Sequence, residues 1–263
     1  MIGSETGAGA RLLERIAGLE REVGRALDAA GGEERIARLR ELAPPEREEL
    51  AACVPPGAPI GVERVGAIEL RFRDVDGRER FGLVHAPRLF SQRALDELGG
   101  FKPGYVERAL ADPDRRDPAA ELVGFFRAAW SEGFPLVRAA PWHWCAEVAA
   151  ALGVATDDVA MDWDLTSALA IRPIRDTGRW SRHGIGAIDL NPLENPWVIE
   201  RDGRREVLPP AGERFAVDRT PARGPLLILD GGWVVRWFEA RGWTWGGRWP
   251  GRRDYQHFSP GIE

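Results

Sequence analysis

Lysine, histidine, cysteine and long apolar runs are all scarce in this chain, and each scarcity removes a class of reading. Lys102 is the single lysine among 36 basic residues, so the positive charge is carried by arginine, a bias we attribute to GC-rich coding rather than to mechanism. Acidic residues outnumber basic ones, 41 to 36, and the net charge of −5 gives no footprint for nucleic acid. Cys53 and Cys145 are isolated and lack metal-type spacing, leaving one disulfide or, more simply, two buried thiols. No apolar stretch approaches the roughly 20 residues of a membrane span. The first thirty residues are rich in Arg and Glu and lack the continuous apolar segment of a secretory signal. Read from Met1, the product is expected in the cytoplasm.

Glycine and proline are abundant, 31 and 20 of 263 residues. They describe a loop-rich globular chain with one fair-sized domain and an appendage, or two small domains. Leu12, Ile16, Leu19, Val23 and Leu27 share one helical face, and Gly31-Gly32 ends that helix. The stripe offers either a weak self-association seam, short of about three heptads, or a face for docking on the main domain. Ile36, Leu39 and Leu42 predict a second helix stopped by Pro44-Pro45, with a further turn or two over 46–53. Residues 1–55 therefore read as a helical appendage and 56–263 as the main domain. There, alternation over 67–74, the Asp76-Gly77 turn and the return over 79–85 predict a β-hairpin. Asp117 as N-cap and Pro118 at the first position open a helix over 118–131. Further helices are predicted over 144–152, closed by Gly153, and 232–241, closed by Gly242. FPLVRA, 167–172, 187–190 and 254–258 are strand candidates. Helices and hairpins mixed without a βαβ rhythm predict an α+β fold around a largely antiparallel sheet.

The chemistry concentrates in WSRHGIGAIDLNPLENP, residues 180–196. Asp189 stands between Ile188 and Leu190, where an unpaired carboxylate is costly. A metal ion or a hydrogen-bonded turn would each supply a partner. Catalytic zinc takes three ligands from His, Asp and Glu and leaves a fourth position for water. His183 and Asp189 supply two, with Gly184 and Gly186 permitting a tight turn, and the third has to come from another of the four histidines. His257 follows Asp254 by three residues, a pairing that offers an imidazole for the metal and a carboxylate base for its water. Residues three apart in a regular strand face opposite sides, so a bulge or bend is required between them. His85 and His143 lie outside any such pattern, His143 between Trp142 and Trp144 in what reads as a packed surface segment. Trp243, Trp245 and Trp249 read as core packing or as the wall of a peptide groove.

TSALAIRP, WSRHGIGAIDLNPLENP and GWTWGGRWPGRRDYQHFS, in that order, resemble the VanY-type D-Ala-D-Ala carboxypeptidases and the L-alanyl-D-glutamate endopeptidases. These zinc peptidases group with lysostaphin-type enzymes and hedgehog domains. The resemblance runs from about Gly66 to Phe258, and its pattern is Ser-x-His-x-x-Gly-x-Ala-x-Asp followed by Asp or Glu-x-x-His. It implies a hedgehog/D-Ala-D-Ala peptidase-like fold and Zn2+ held by His183, Asp189 and His257. It further implies Asp254 as general base, Arg172 at the polarised carbonyl or holding the substrate, and Ser181 in the supporting shell on the substrate side. The implied substrate is a peptidoglycan stem peptide or another D-Ala-D-Ala-containing peptide. The Asn-Pro-x-x-Asn-Pro block is similar to the VanY-like branch and favours a carboxypeptidase over an endopeptidase. In one respect the chain departs from the pattern: His183 and Asp189 are six apart where the family has seven, with one residue missing between His183 and Ala187. That shortening opens a second reading, a non-catalytic zinc- or peptide-binding module of the same fold, against which the retained Asp254 speaks. Peptidoglycan lies outside the membrane, whereas the chain as written has no export signal. A different start codon, release through a pore, or an intracellular role trimming wall fragments would reconcile the two.

Overall fold

The computed structural model describes residues 6–58, 60–88, 117–173, 180–184 and 186–260; Lys102 lies outside them. Helix α1 (Gly7–Asp28) is capped by Thr6, whose hydroxyl oxygen accepts from the Gly9 N–H at 2.9 Å. Its leucine stripe is buried against the chain itself, so docking is what this amphipathic face does here.

The predicted second helix is instead strand β1 (Ala37–Glu41). The spacing of Ile36, Leu39 and Leu42 suits a helix, but Arg38 and Arg40 decide the matter. Two residues apart, they project from one side of the strand onto the buried Glu69 carboxylate at 2.6 and 2.7 Å. Pro44-Pro45 then opens a helix rather than closing one. In α2 (Pro44–Cys53) the prolines occupy the first positions and Glu46 accepts from the Ala43 N–H at 2.7 Å.

The predicted hairpin forms as β2 (Val65–Arg73) and β3 (Glu79–Pro87), with β1 antiparallel on the other edge of β2. Helix α3 (Pro118–Glu132) starts at Asp117, which accepts from the Ala120 N–H at 3.2 Å, and packs on the sheet face bearing Ile68, Leu70, Phe72 and Val84. On the opposite face, Ala67 and Leu83 meet α1. FPLVRA contributes only β4 (Arg138–Ala139). After it come α4 (Ala146–Leu152), ended by left-handed Gly153, then α5 (Thr156–Asp162) and β5 (Leu165–Thr166), parallel to β4. The strand expected over 167–172 does not form. Ser167 alone bridges to Asp189, and the unalternating run Ala168–Ile171 is buried throughout.

The remaining elements are β6 (Ile188–Asp189), β7 (Trp197–Arg201), β8 (Arg204–Leu208), α6 (Glu213–Val217), α7 (Trp233–Glu239), β9 (Trp243–Trp245), β10 (Arg252–Asp254) and β11 (His257–Pro260). The β7–β8 hairpin was not anticipated; Asp202 and Gly203 make its two-residue turn with φ of 51° and 74°. The fold is thus α+β, but among the described residues its strands form four small sheets, ordered β1-β2-β3, β10-β7-β8, β6-β11-β9 and β4-β5, rather than one. Both cysteines are free, Cys53 exposed and Cys145 buried. His143 is buried rather than superficial and stacks on His85 at 5.4 Å. Among the described residues no helix is long and apolar enough to cross a membrane.

Candidate metal centre

Asp189 sits in the middle of a three-strand contact. Its backbone exchanges hydrogen bonds with Ser167 at 2.9 and 3.1 Å on one side, and its register partner on the other is His257. Directly paired residues share a sheet face, so the carboxylate and the imidazole meet, with His257 Nδ1 at 2.9 Å from Asp189 Oδ1. His183 arrives from the short turn Arg182–Gly184, with Nε2 at 3.2 Å from Asp189 Oδ2. Ser181 sets that turn: its hydroxyl oxygen accepts from the His183 N–H at 3.3 Å, and its own N–H donates to the Arg172 carbonyl at 2.8 Å. One ligand-capable atom from each of His183, Asp189 and His257 lies within 4.8 Å of the others. The six-residue spacing therefore still closes. Gly186 makes this feasible, since at φ +115° a Cβ would sit 2.6 Å from Pro118 Cβ.

The bend that Asp254 and His257 need in order to face one site is present. Strand β10 ends at Asp254 opposite Trp197, the chain turns at Tyr255-Gln256, and β11 begins at His257 in a different sheet. The turn is anchored by the Leu190 N–H donating to the Gln256 carbonyl at 3.1 Å and by Trp245 Nε1 donating to the Tyr255 carbonyl at 3.0 Å. Gly246 lies against this turn so closely that an added Cβ would be 2.6 Å from the Asp254 carbonyl oxygen and 3.3 Å from His257 Cβ.

Burial by itself would raise the Asp189 carboxyl, but the His183 and His257 imidazoles outweigh it and hold the group well below the usual carboxylate range. Asp254 goes the other way: burial first, then the negative Asp189, push its carboxyl well above that range. His183 Nδ1, His257 Nε2 and Asp254 Oδ1 are buried without a hydrogen-bond partner among the described residues. Unpaired polar atoms are expensive at such depth. A His, His, Asp donor set plus a carboxylate oxygen ready to accept from a bound water suits a zinc ion with an open position, so the residues present fit that group.

Not every candidate converges here. The Arg172 guanidinium is ion-paired with Asp157, whose other oxygen accepts from Trp142 Nε1 at 3.0 Å. Trp243 and Trp245 belong to the core, whereas half-buried Trp249 stands 5.2 Å from the His257 ring. The Asn-Pro-x-x-Asn-Pro block is a scaffold. Asn195 donates to the Leu226 carbonyl at 2.9 Å and accepts from the Ile228 N–H at 2.7 Å, both deep in the fold. Within that block Glu194 lies buried beside Asp164, and burial together with the Asp164 charge pushes its carboxyl up to about 8. Sequence reasoning missed the bracing role of Ser167, which lies in the TSALAIRP block without any distinguishing neighbour. It also missed the tight fit of Gly246, for which the Gly-Gly pair was the only signal.

Residues 175–260 match a family model described as D-alanyl-D-alanine carboxypeptidase. The matched segment contains His183, Asp189, Asp254 and His257 and excludes Arg172. The family resemblance is thus shown over this segment. No curated protein and no solved structure gives a significant match to the chain.

Proposed function

We propose that the protein is a zinc-dependent peptidase acting on cell-wall-type peptides, in its specific form a D-alanyl-D-alanine carboxypeptidase. The observation that carries this reading is the convergence of His183, Asp189 and His257 into one ligand-sized space, with half-buried Asp254 at the adjoining bend. The family match over 175–260 supports it. Residues 56–263 would carry the chemistry in a hedgehog/D-Ala-D-Ala peptidase-like arrangement, with 1–55 as its buttress.

His183, Asp189 and His257 would hold the ion. Zinc, when bound, acidifies a water and polarises the scissile carbonyl. Asp254 takes a proton from the attacking water and delivers it to the leaving amine. Ser181 keeps His183 in place through its backbone N–H. Arg172 is assigned to the substrate carbonyl, in competition with Asp157, which holds its guanidinium in the free protein. Asp254→Ala should abolish hydrolysis of a peptide ending in D-Ala-D-Ala while the protein keeps about one zinc per chain. Wild-type turnover by that variant would refute the mechanism. Amidating the peptide's C-terminus should stop cleavage, and undiminished cleavage would exclude the carboxypeptidase form.

A further inference from the structure

The small sheet β10-β7-β8 has two unlike faces. Directly paired residues share a face and successive residues alternate. One face is closed by the buried pair Val198 and Val207. The other begins at the row of Asp254 and Trp197, continues to Arg252 and Ile199 with Glu206 beside them, and ends at Arg201 and Arg204. Trp197 and Ile199 are half-buried and the arginines exposed, so the strip has an apolar floor with cations along it. Two-residue steps along a strand are about 7 Å, which puts the arginine rows about 7 and 13 Å from the Asp254 row.

The charge on this strip is out of keeping with the chain. Acidic residues are in excess overall, and many exposed arginines are paired, as Arg205 is with Glu213 at 3.0 Å and Arg223 with Asp218 at 2.7 Å. Arg201, Arg204 and Arg252 have no ion-pair or hydrogen-bond partner among the described residues, and Glu206 is the single acid in their rows. Three guanidiniums without an ion-pair partner, in line with the half-buried Asp254, form a track for negative charge. The spacing matches an extended peptide, which advances about 3.3 Å per residue.

The geometry points to this strip as a docking surface for an acidic peptide, one whose carboxylates lie about two and four residues from the bond presented to Asp254. This rests on the peptidase reading of the Asp254 centre. The aromatic and aliphatic floor favours peptide over a bare polyanion, because it offers contact to side chains as well as charge.

The test uses the full chain carrying Asp254→Asn, so that bound peptide survives, and a fluorescent peptide with glutamate at the second and fourth positions from the scissile bond, or glutamine at both. At low salt the acidic peptide should bind about tenfold tighter, each of its two carboxylates contributing roughly threefold. The preference should shrink as salt rises. It should fall to about one in Arg201→Gln/Arg204→Gln/Arg252→Gln, and to about twofold or less with the single charge reversal Arg204→Glu, both checked for an unchanged melting temperature. Equal binding of the two peptides, a preference that survives the triple variant, or equal displacement by an oligonucleotide of the same charge would each overturn the proposal. The two readings fail separately. If the Asp254→Asn protein prefers the acidic peptide but the intact protein cleaves neither, the surface stands and the peptidase reading falls. Cleavage of both at one rate, without binding preference, gives the reverse.

Discussion

Gly246→Ala tests the candidate centre without replacing any residue assigned to it. The added Cβ would lie 2.6 Å from the Asp254 carbonyl oxygen, where ordinary contact begins at 3.4 Å, and 2.9 Å from Asp254 Cβ. The deficit of about 0.8 Å (3.4 less 2.6) falls on backbone and on a Cβ, neither of which can rotate away. Asp254 or the Gly246–Arg248 turn must therefore move. Overpacking of this kind costs about 1–3 kcal/mol, which for a chain of this size is a melting temperature lower by roughly 2–10 °C. Displacing a general base by most of an ångström costs far more in rate, on the order of 100-fold in kcat/KM. The assay compares kcat/KM on a D-Ala-D-Ala peptide, zinc content and melting temperature with those of Gly31→Ala, where a Cβ meets nothing within 4 Å. Gly31→Ala should stay within about twofold of wild type. A Gly246→Ala protein that keeps wild-type kcat/KM would refute the reasoning, because the base would then tolerate a shift that the proposed proton transfer does not.

Two further outcomes follow from the same geometry. Replacing His257 by Ala should remove the zinc measured by elemental analysis and lower the melting temperature of the metal-loaded protein, while chelator should no longer change it; retained stoichiometric zinc would exclude His257 as a ligand. Glu194, raised to about 8 in the folded state, binds a proton that the unfolded chain gives up near pH 4.5, so stability should fall as pH rises across that window. Glu194→Gln should leave stability near pH 5 unchanged and raise it at pH 8, and parallel unfolding curves for the two proteins from pH 5 to 8 would contradict the buried acid pair.

The candidate centre, as a cluster of His183, Asp189 and His257, was legible in the sequence because its residues are informative by type and spacing. His183, Asp189, Asp254 and His257 lie in two short blocks, and the required bend between the last two is the junction of β10 with β11. What could not be read depends on distant partners. The strand at 37–41 is selected by Glu69, some thirty residues away, against a local pattern that fits a helix equally well. The engagement of Arg172 by Asp157 and the closeness of Gly246 to Asp254 exist only once the chain is folded. The β7–β8 hairpin had its Asp202-Gly203 signal in plain view, but exposed arginine and glutamate at both ends mask the usual alternation.

The pairing of β1 with β2 bears on how the protein can be cut. All five residues of β1 are in register with β2, and the leucines of α1 roof the opposite side of the hairpin from α3. A fragment starting near residue 56 would leave β2 with a bare row of peptide groups and uncover Ala67 and Leu83 together, the combination that recruits other chains into intermolecular sheets. Shortened versions made to isolate the half with the candidate metal centre should accordingly be sought in inclusion bodies, and trimming from the amino end is safer if it stops ahead of Thr6.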